Sequence, residues 1–159
     1  MFFALTESQG EALVATRDDV EVRAFVAGVE GAWDRDWLCE VDKAWDAMHR
    51  CLSDGTLQLG RYGGGPLELA VLGGGQHYEG EEYIVAHVLA DQVPAVAAEL
   101  DSVEEAWLRE RYDLIDPDDY QGVLEDEDFD YTWHYLQDVR DFYKRAAAAG
   151  RSVIFTVDQ

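Results

Sequence analysis

Apolar positions recur at helical spacing through the first third of the chain and gather most tightly in residues 41–52, VDKAWDAMHRCL. At about 100° per residue this stretch puts Val41, Trp45, Met48 and Leu52 on one stripe and lays Asp42, Asp46 and His49 beside it as a polar row. The spacing predicts a central helix with Asp42 as its N-cap, where a carboxylate satisfies an orphan backbone N–H. Upstream, residues 1–5 read as a strand. Thr6-Glu7-Ser8-Gln9 has the form of a capping box and opens a helix carrying Ala12, Leu13 and Val14 inward. A second helix from about Asp18 would bury Val22, Phe25, Val26 and Val29. Residues 32–40, with Trp33 and Trp37, form a mixed connection.

Downstream, residues 54–65 are too rich in glycine for a regular element, and 66–72 make a short helix with Pro66 in its first turn, ended by Gly73, Gly74 and Gly75. Residues 83–89, YIVAHVL, are the clearest strand. Asp91 is placed to cap a helix running to Leu100, with Pro94 harmless in its first turn, and Ser102 with Glu105 forms a second capping box for a helix ending near Tyr112. Residues 113–128 are acidic and irregular. Residues 129–149 form a long helix with Phe129, Thr132, Leu136, Val139, Tyr143 and Ala146 or Ala147 inside, Gly150 at C′, and VIFTV (153–157) closing as a strand. This order predicts an α/β fold, a single compact domain over 1–159 with helices packed around a small sheet. Neither YIVAHVL nor VIFTV alternates cleanly with polar residues, so the sheet is expected to be covered on both faces.

Composition bounds the partners. The 159 residues carry 34 acidic against 12 basic side chains, a net charge of −22, which repels phosphate backbones and anionic lipid and draws basic proteins or cationic ligands. Direct binding to nucleic acid or membrane is therefore disfavoured; the plain alternative is that acidity serves solubility. Cys39 and Cys51 make no disulfide framework. The opening MFFALTESQGEALV has no basic region before its apolar run, and no stretch nears the roughly 18 apolar residues of a membrane span. A cytoplasmic protein with reduced thiols is expected.

Asp42, Asp46 and His49 are the first candidates for acid–base chemistry. Asp42 and His49 stand two helical turns apart, roughly 10 Å along the axis, so the three alone close no triad. Read structurally, Asp46 pairs with Arg50 and His49 bonds a backbone carbonyl. Zinc on His49 with Cys51 or Cys39 matches no ligand spacing. His77 lies in a glycine-rich loop where functional residues concentrate, while His87 sits in the predicted strand and His134 in the last helix. The glycine runs GRYGGGP and LGGGQ lack the residues of a phosphate loop and read as permissive turns. EDEDFD (125–130) begins like a calcium loop, but Tyr131 replaces the turn glycine and Gln137 the closing glutamate; acids before a helix N-terminus suit the macrodipole. Ser8, Ser53, Ser102 and Ser152 take cap or loop positions, with no nucleophile elbow. No cofactor or metal is expected.

The run from Asp42 and Lys43 through Trp45 to His49 resembles the D-K-x-W-x-x-x-H core of the YfbM-like family, a bacterial group described mainly as a domain of unknown function. Leu72-Gly73-Gly74, the strand leading into a capped helix around Asp91, Tyr112-Asp113, and Phe142-Tyr143 followed by Gly150 and VIFTV resemble it in the same order. Where the family would carry a basic residue in the middle strand, this chain has His87. The resemblance implies a compact α/β domain and brings no activity, cofactor or catalytic residue. Two readings follow: a non-enzymatic module holding a basic protein partner, of a toxin-neutralising or regulatory kind, and, less favoured, a small enzyme with its site between Asp42, Asp46 and His49 and the loop near His77.

Overall fold

The computed structural model describes residues 1–60 and 65–158. Along the chain come β1 (Phe2–Leu5), α1 (Glu7–Val14), α2 (Asp19–Ala32), β2 (Leu38–Cys39), α3 (Trp45–Leu52), α4 (Pro66–Leu69), β3 (Gly75–Gln76), β4 (Tyr83–Val88), α5 (Val93–Ser102), α6 (Glu105–Tyr112), α7 (Asp126–Ala148) and β5 (Ser152–Asp158). The strands form one antiparallel sheet in the order β2-β1-β5-β4-β3, so the two terminal strands pair at its centre, with Phe2 opposite Phe155 and Leu5 opposite Ser152.

Alternate side chains of the sheet enter two cores. Phe3, Leu5, Tyr83, Val85 and Ile154 meet Leu13 of α1 and Val22 and Val26 of α2. Phe2, Ala4, Ile84, Ala86 and Phe155 meet the larger set brought by α3 and α5–α7, including Met48, Leu100, Leu136 and Tyr143. Both faces are covered, which is why all six residues of β4 are buried. Among the described residues no helix is long and apolar enough to cross a membrane.

Several local signals work as read. Thr6 accepts from the Gln9 N–H while the Gln9 side chain returns to the Thr6 N–H, a complete capping box. At the end of α7 Gly150 takes φ +63, Arg151 N–H reaches the Ala146 carbonyl and Gly150 N–H reaches that of Ala147, the Schellman pattern.

Others differ. On α1 only Gly10 and Leu13 are buried; Ala12 and Val14 face outward. The central helix starts at Trp45, because Asp42 adopts φ +41 in a turn closed by Ala44 N–H on the Val41 carbonyl; Asp42 is not its N-cap. Asp91 does not cap α5 either: Gln92 holds the cap position and its side chain accepts from Leu89 N–H. Ser102 ends α5, its hydroxyl donating to the Glu99 carbonyl, so the second box does not form and Glu104 precedes α6. β2 arises inside the mixed connection and β3 inside LGGGQ; helix α4 stops at Leu69, and α7 begins at Asp126, within the acidic stretch. Most of GRYGGGP lies outside the described residues.

The glycines after α4 are held by close contacts. A Cβ on Gly73 would lie 2.2 Å from the Glu68 carbonyl oxygen, and one on Gly74 would lie 2.6 Å from that of His87, where β3 approaches β4. Gly74→Ala is expected to destabilise the domain by about 1–3 kcal/mol, the range for forced overpacking, read as a lowered urea midpoint.

Candidate functional site

Helix α3 is fixed at both ends and in its middle by side chains from distant elements. Before its start, the Tyr131 hydroxyl of α7 donates to Asp42 Oδ2 (2.8 Å) and accepts from Lys43 N–H (3.4 Å). At its end Arg111 of α6 donates to the carbonyls of Cys51 and Ser53, groups that a helix C-terminus leaves without partners. On its inner side Trp45 packs on Phe155 of β5, with ring centroids 5.8 Å apart.

In the middle sits Arg50, with only 1% of its side chain exposed. Its Nε donates to Asp46 Oδ1 (2.6 Å), and its Nη1 to Asp119 Oδ2 (2.7 Å) and the Gly55 carbonyl (3.2 Å). Nη2 donates to the Asp119 carbonyl (3.0 Å). Burial opposes the guanidinium charge, but the hydrogen bonds to Asp119 and Asp46 outweigh it and hold its pKa above the ordinary value. Burial holds the Asp46 carboxyl above its usual range even with Arg50 against it.

His49, one residue away, is buried beside the Gln58 backbone carbonyl, and burial pushes its pKa down to about 4. The recess before it, bordered by Ser53, Gln58 and Gly73, holds about 10 Å³, the lower limit for one water molecule. The neutral imidazole thus faces a space of about one water molecule among the described residues.

His77 is elsewhere. Its Nε2 lies 3.3 Å from Nδ1 of His87, across the β3–β4 edge, and it borders a surface hollow with Thr16 and Asp18. Thus the four candidates Asp42, Asp46, His49 and His77 do not converge: Asp42 meets α7, Asp46 holds Arg50, His49 faces the small recess, and His77 joins His87. Burial raises the thiol pKa values of Cys39 and Cys51 to about 12, so neither is a thiolate near neutrality. Among the described residues no three His, Cys, Asp or Glu side chains are grouped to hold a metal.

The partner that sequence spacing missed is Asp119, 69 positions from Arg50 and without a local signature. It lies in the α6–α7 connection; over this connection and the first residues of α7, nine of the eighteen residues 113–130 are acidic and none is basic. Asp119 on Arg50 holds this connection on one side. On the other, the hydroxyls of Tyr112 and Tyr120 donate to Asp128 Oδ2 at 2.6 and 2.8 Å. Asp113 and Asp126 both hold Arg109. Asp118, Glu125, Glu127 and Asp130 are exposed, with no ion pair among the described residues, and the same stretch carries Leu114, 82% exposed, and Val123, 67% exposed.

The motif positions thus act as scaffold: Asp42 and Lys43 dock on Tyr131, Trp45 on the sheet, Gly73 and Gly74 on neighbouring backbone, Tyr112 on Asp128 and Asp113 on Arg109. The model of the family described as Domain of unknown function (DUF1877) matches residues 1–156, and the chain belongs to that family. Among solved structures, the protein of unknown function YfbM from Escherichia coli shares the fold, with a TM-score of 0.70 and 17% identity over 99% of this chain and 98% of that one. Membership of a YfbM-like family, as the resemblance implied, is thereby shown. No curated protein matches the chain.

Proposed function

We propose that this is a cytoplasmic, non-enzymatic binding module that holds a basic protein partner on the α6–α7 connection, as a toxin-neutralising or regulatory protein does. One observation carries the reading: Leu114 and Val123 stand open to solvent within an acidic stretch that holds no basic residue and is tied down by Arg50 and by Tyr112 and Tyr120. Apolar anchors with a charged surround are the anatomy of a specific interface, and the net charge of −22 would steer a cationic partner toward it. Weighing against an enzyme is the lack of space at His49.

The test is capture by the immobilised protein from a lysate of its source organism at about 0.05 M and about 0.5 M salt, where the Debye length falls severalfold. A basic protein retained at low salt and released at high salt is expected. Leu114→Ser with Val123→Ser should weaken its retention by at least about tenfold, since exposed anchors act on binding and leave the core untouched. Equal retention by the double variant, or no basic protein retained, contradicts the reading.

A further inference from the structure

At the end of the sheet where β4 leaves and β5 enters, α1 overhangs an open cleft of about 450 Å³. Its lining divides by chemistry. His87 and Ser152 are more than nine-tenths buried, and His87 Nε2 and Ser152 Oγ have no hydrogen-bond partner among the described residues. Buried polar side chains are nearly always bonded, so two orphans lining one cleft are a reason to look for a ligand. Val14 and Leu89, both exposed, give the cleft apolar walls. Glu7 and Glu11, exposed on α1, give it an acidic margin.

Two further details shape the site. A Cβ on Gly10 would lie 3.1 Å from Ser152 Oγ, so any side chain on that turn of α1 would crowd the hydroxyl. His87 Nδ1 faces His77 Nε2 at 3.3 Å, which fixes the ring; whichever nitrogen holds the shared proton, His87 Nε2 takes the complementary role, acceptor or donor. Burial pushes the His87 pKa down to about 4, so the imidazole is neutral near pH 7 and offers an anion no charge.

We propose that this cleft binds a small hydroxyphenyl amine, its hydroxyl on His87 and Ser152, its ring between Val14 and Leu89, and its ammonium toward Glu7 and Glu11. A hydroxyl both donates and accepts, which suits an imidazole nitrogen and a serine hydroxyl together, and a phenol joins that polar tip to an apolar body. The acidic margin and the surrounding negative charge select an ammonium over a carboxylate. The site is independent of the binding surface on the α6–α7 connection.

The test is titration of the ¹⁵N-labelled protein with three probes: tyramine, phenethylamine, which lacks the hydroxyl, and 4-hydroxyphenylacetate, which reverses the charge. Tyramine is expected to bind with a Kd on the order of 1 mM, ordinary for so few atoms, and to shift the amides of α1, Leu89 and Ser152. Phenethylamine should bind at least about fivefold more weakly and 4-hydroxyphenylacetate not at all in the same range. Ser152→Ala should weaken tyramine toward, though not to, the affinity of phenethylamine, since His87 still holds the hydroxyl. Ala90→Trp, at an exposed position on the lining, should abolish the shifts with the fold intact. No shift at these amides with tyramine, equal affinity for all three probes, or unchanged tyramine binding by Ala90→Trp overturns the proposal.

Discussion

Arg50→Ala is expected to cost about 3–5 kcal/mol of unfolding free energy, measured by urea denaturation near neutral pH, because it removes one member of a buried ion pair and strands its partner. The guanidinium makes four hydrogen bonds to three residues, all of which the substitution removes. The two carboxylates contribute unequally to that loss. Asp119, 63% exposed, returns to water when Arg50 is gone, whereas Asp46, 14% exposed, stays largely buried with its charge unmatched. Adding Asp46→Asn to Arg50→Ala should therefore return about 1–2 kcal/mol, and adding Asp119→Asn should return none. Arg50→Lys keeps the charge but loses the planar fork, so it should recover less than half of the loss.

Acidification should act next most strongly. His49 and His87 are both buried, and burial lowers each from the ordinary 6.5 to about 4; Arg50 adds to the effect at His49 and His77 adds to it at His87. For a base with a folded pKa below its unfolded one, the unfolded chain takes up the proton first. Stability is therefore full above about pH 6.5 and drains away as pH falls toward 4, by about 3 kcal/mol for each ring over the whole window. With both titrating, unfolding free energy should fall by up to about 2.7 kcal/mol per pH unit. Carboxylates protonate mostly below pH 5, so relief of the −22 charge does not cancel the loss between about pH 6.5 and 5. Asp46, raised by burial, works in the opposite sense. Urea unfolding at several values between about pH 7 and 5 measures the slope, and His49→Gln or His87→Gln should each remove about one proton's share, whatever it does to stability at neutral pH.

What the sequence made legible and what it hid divide by range. Three strands, the Thr6 capping box, the inner stripe of α7 and the Gly150 stop depend on neighbours within a few positions, and all are found. The two-residue strands β2 and β3 exist only because β1 and β4 offer partners across the sheet, which no local pattern encodes. Ser102 and Glu105 fit a capping box by spacing, yet α5 runs on through Ser102 and takes its hydroxyl for its own last turn. Asp42 failed as a cap for a similar reason: its carboxylate is taken by Tyr131, 89 positions away. Of the candidate site, the Asp46–Arg50 pair and the buried His49 were readable from helical spacing. The Asp119 contact and the meeting of His77 with His87 were not, since both depend on how distant segments fold together.

If Arg50 is the clamp that makes the acidic connection a fixed surface, amide hydrogen exchange will show it. The N–H groups of Ile115, Asp119 and Tyr120 bond to the carbonyls of Tyr112, Asp116 and Asp116 at 3.1, 3.2 and 3.1 Å. In the wild-type protein these amides should exchange at least about tenfold more slowly than in a free peptide; in Arg50→Lys they should lose that protection while those of Ile154 and Phe155 in β5 keep theirs. Free-peptide exchange of the three amides in the wild type, or protection unchanged by Arg50→Lys, contradicts it.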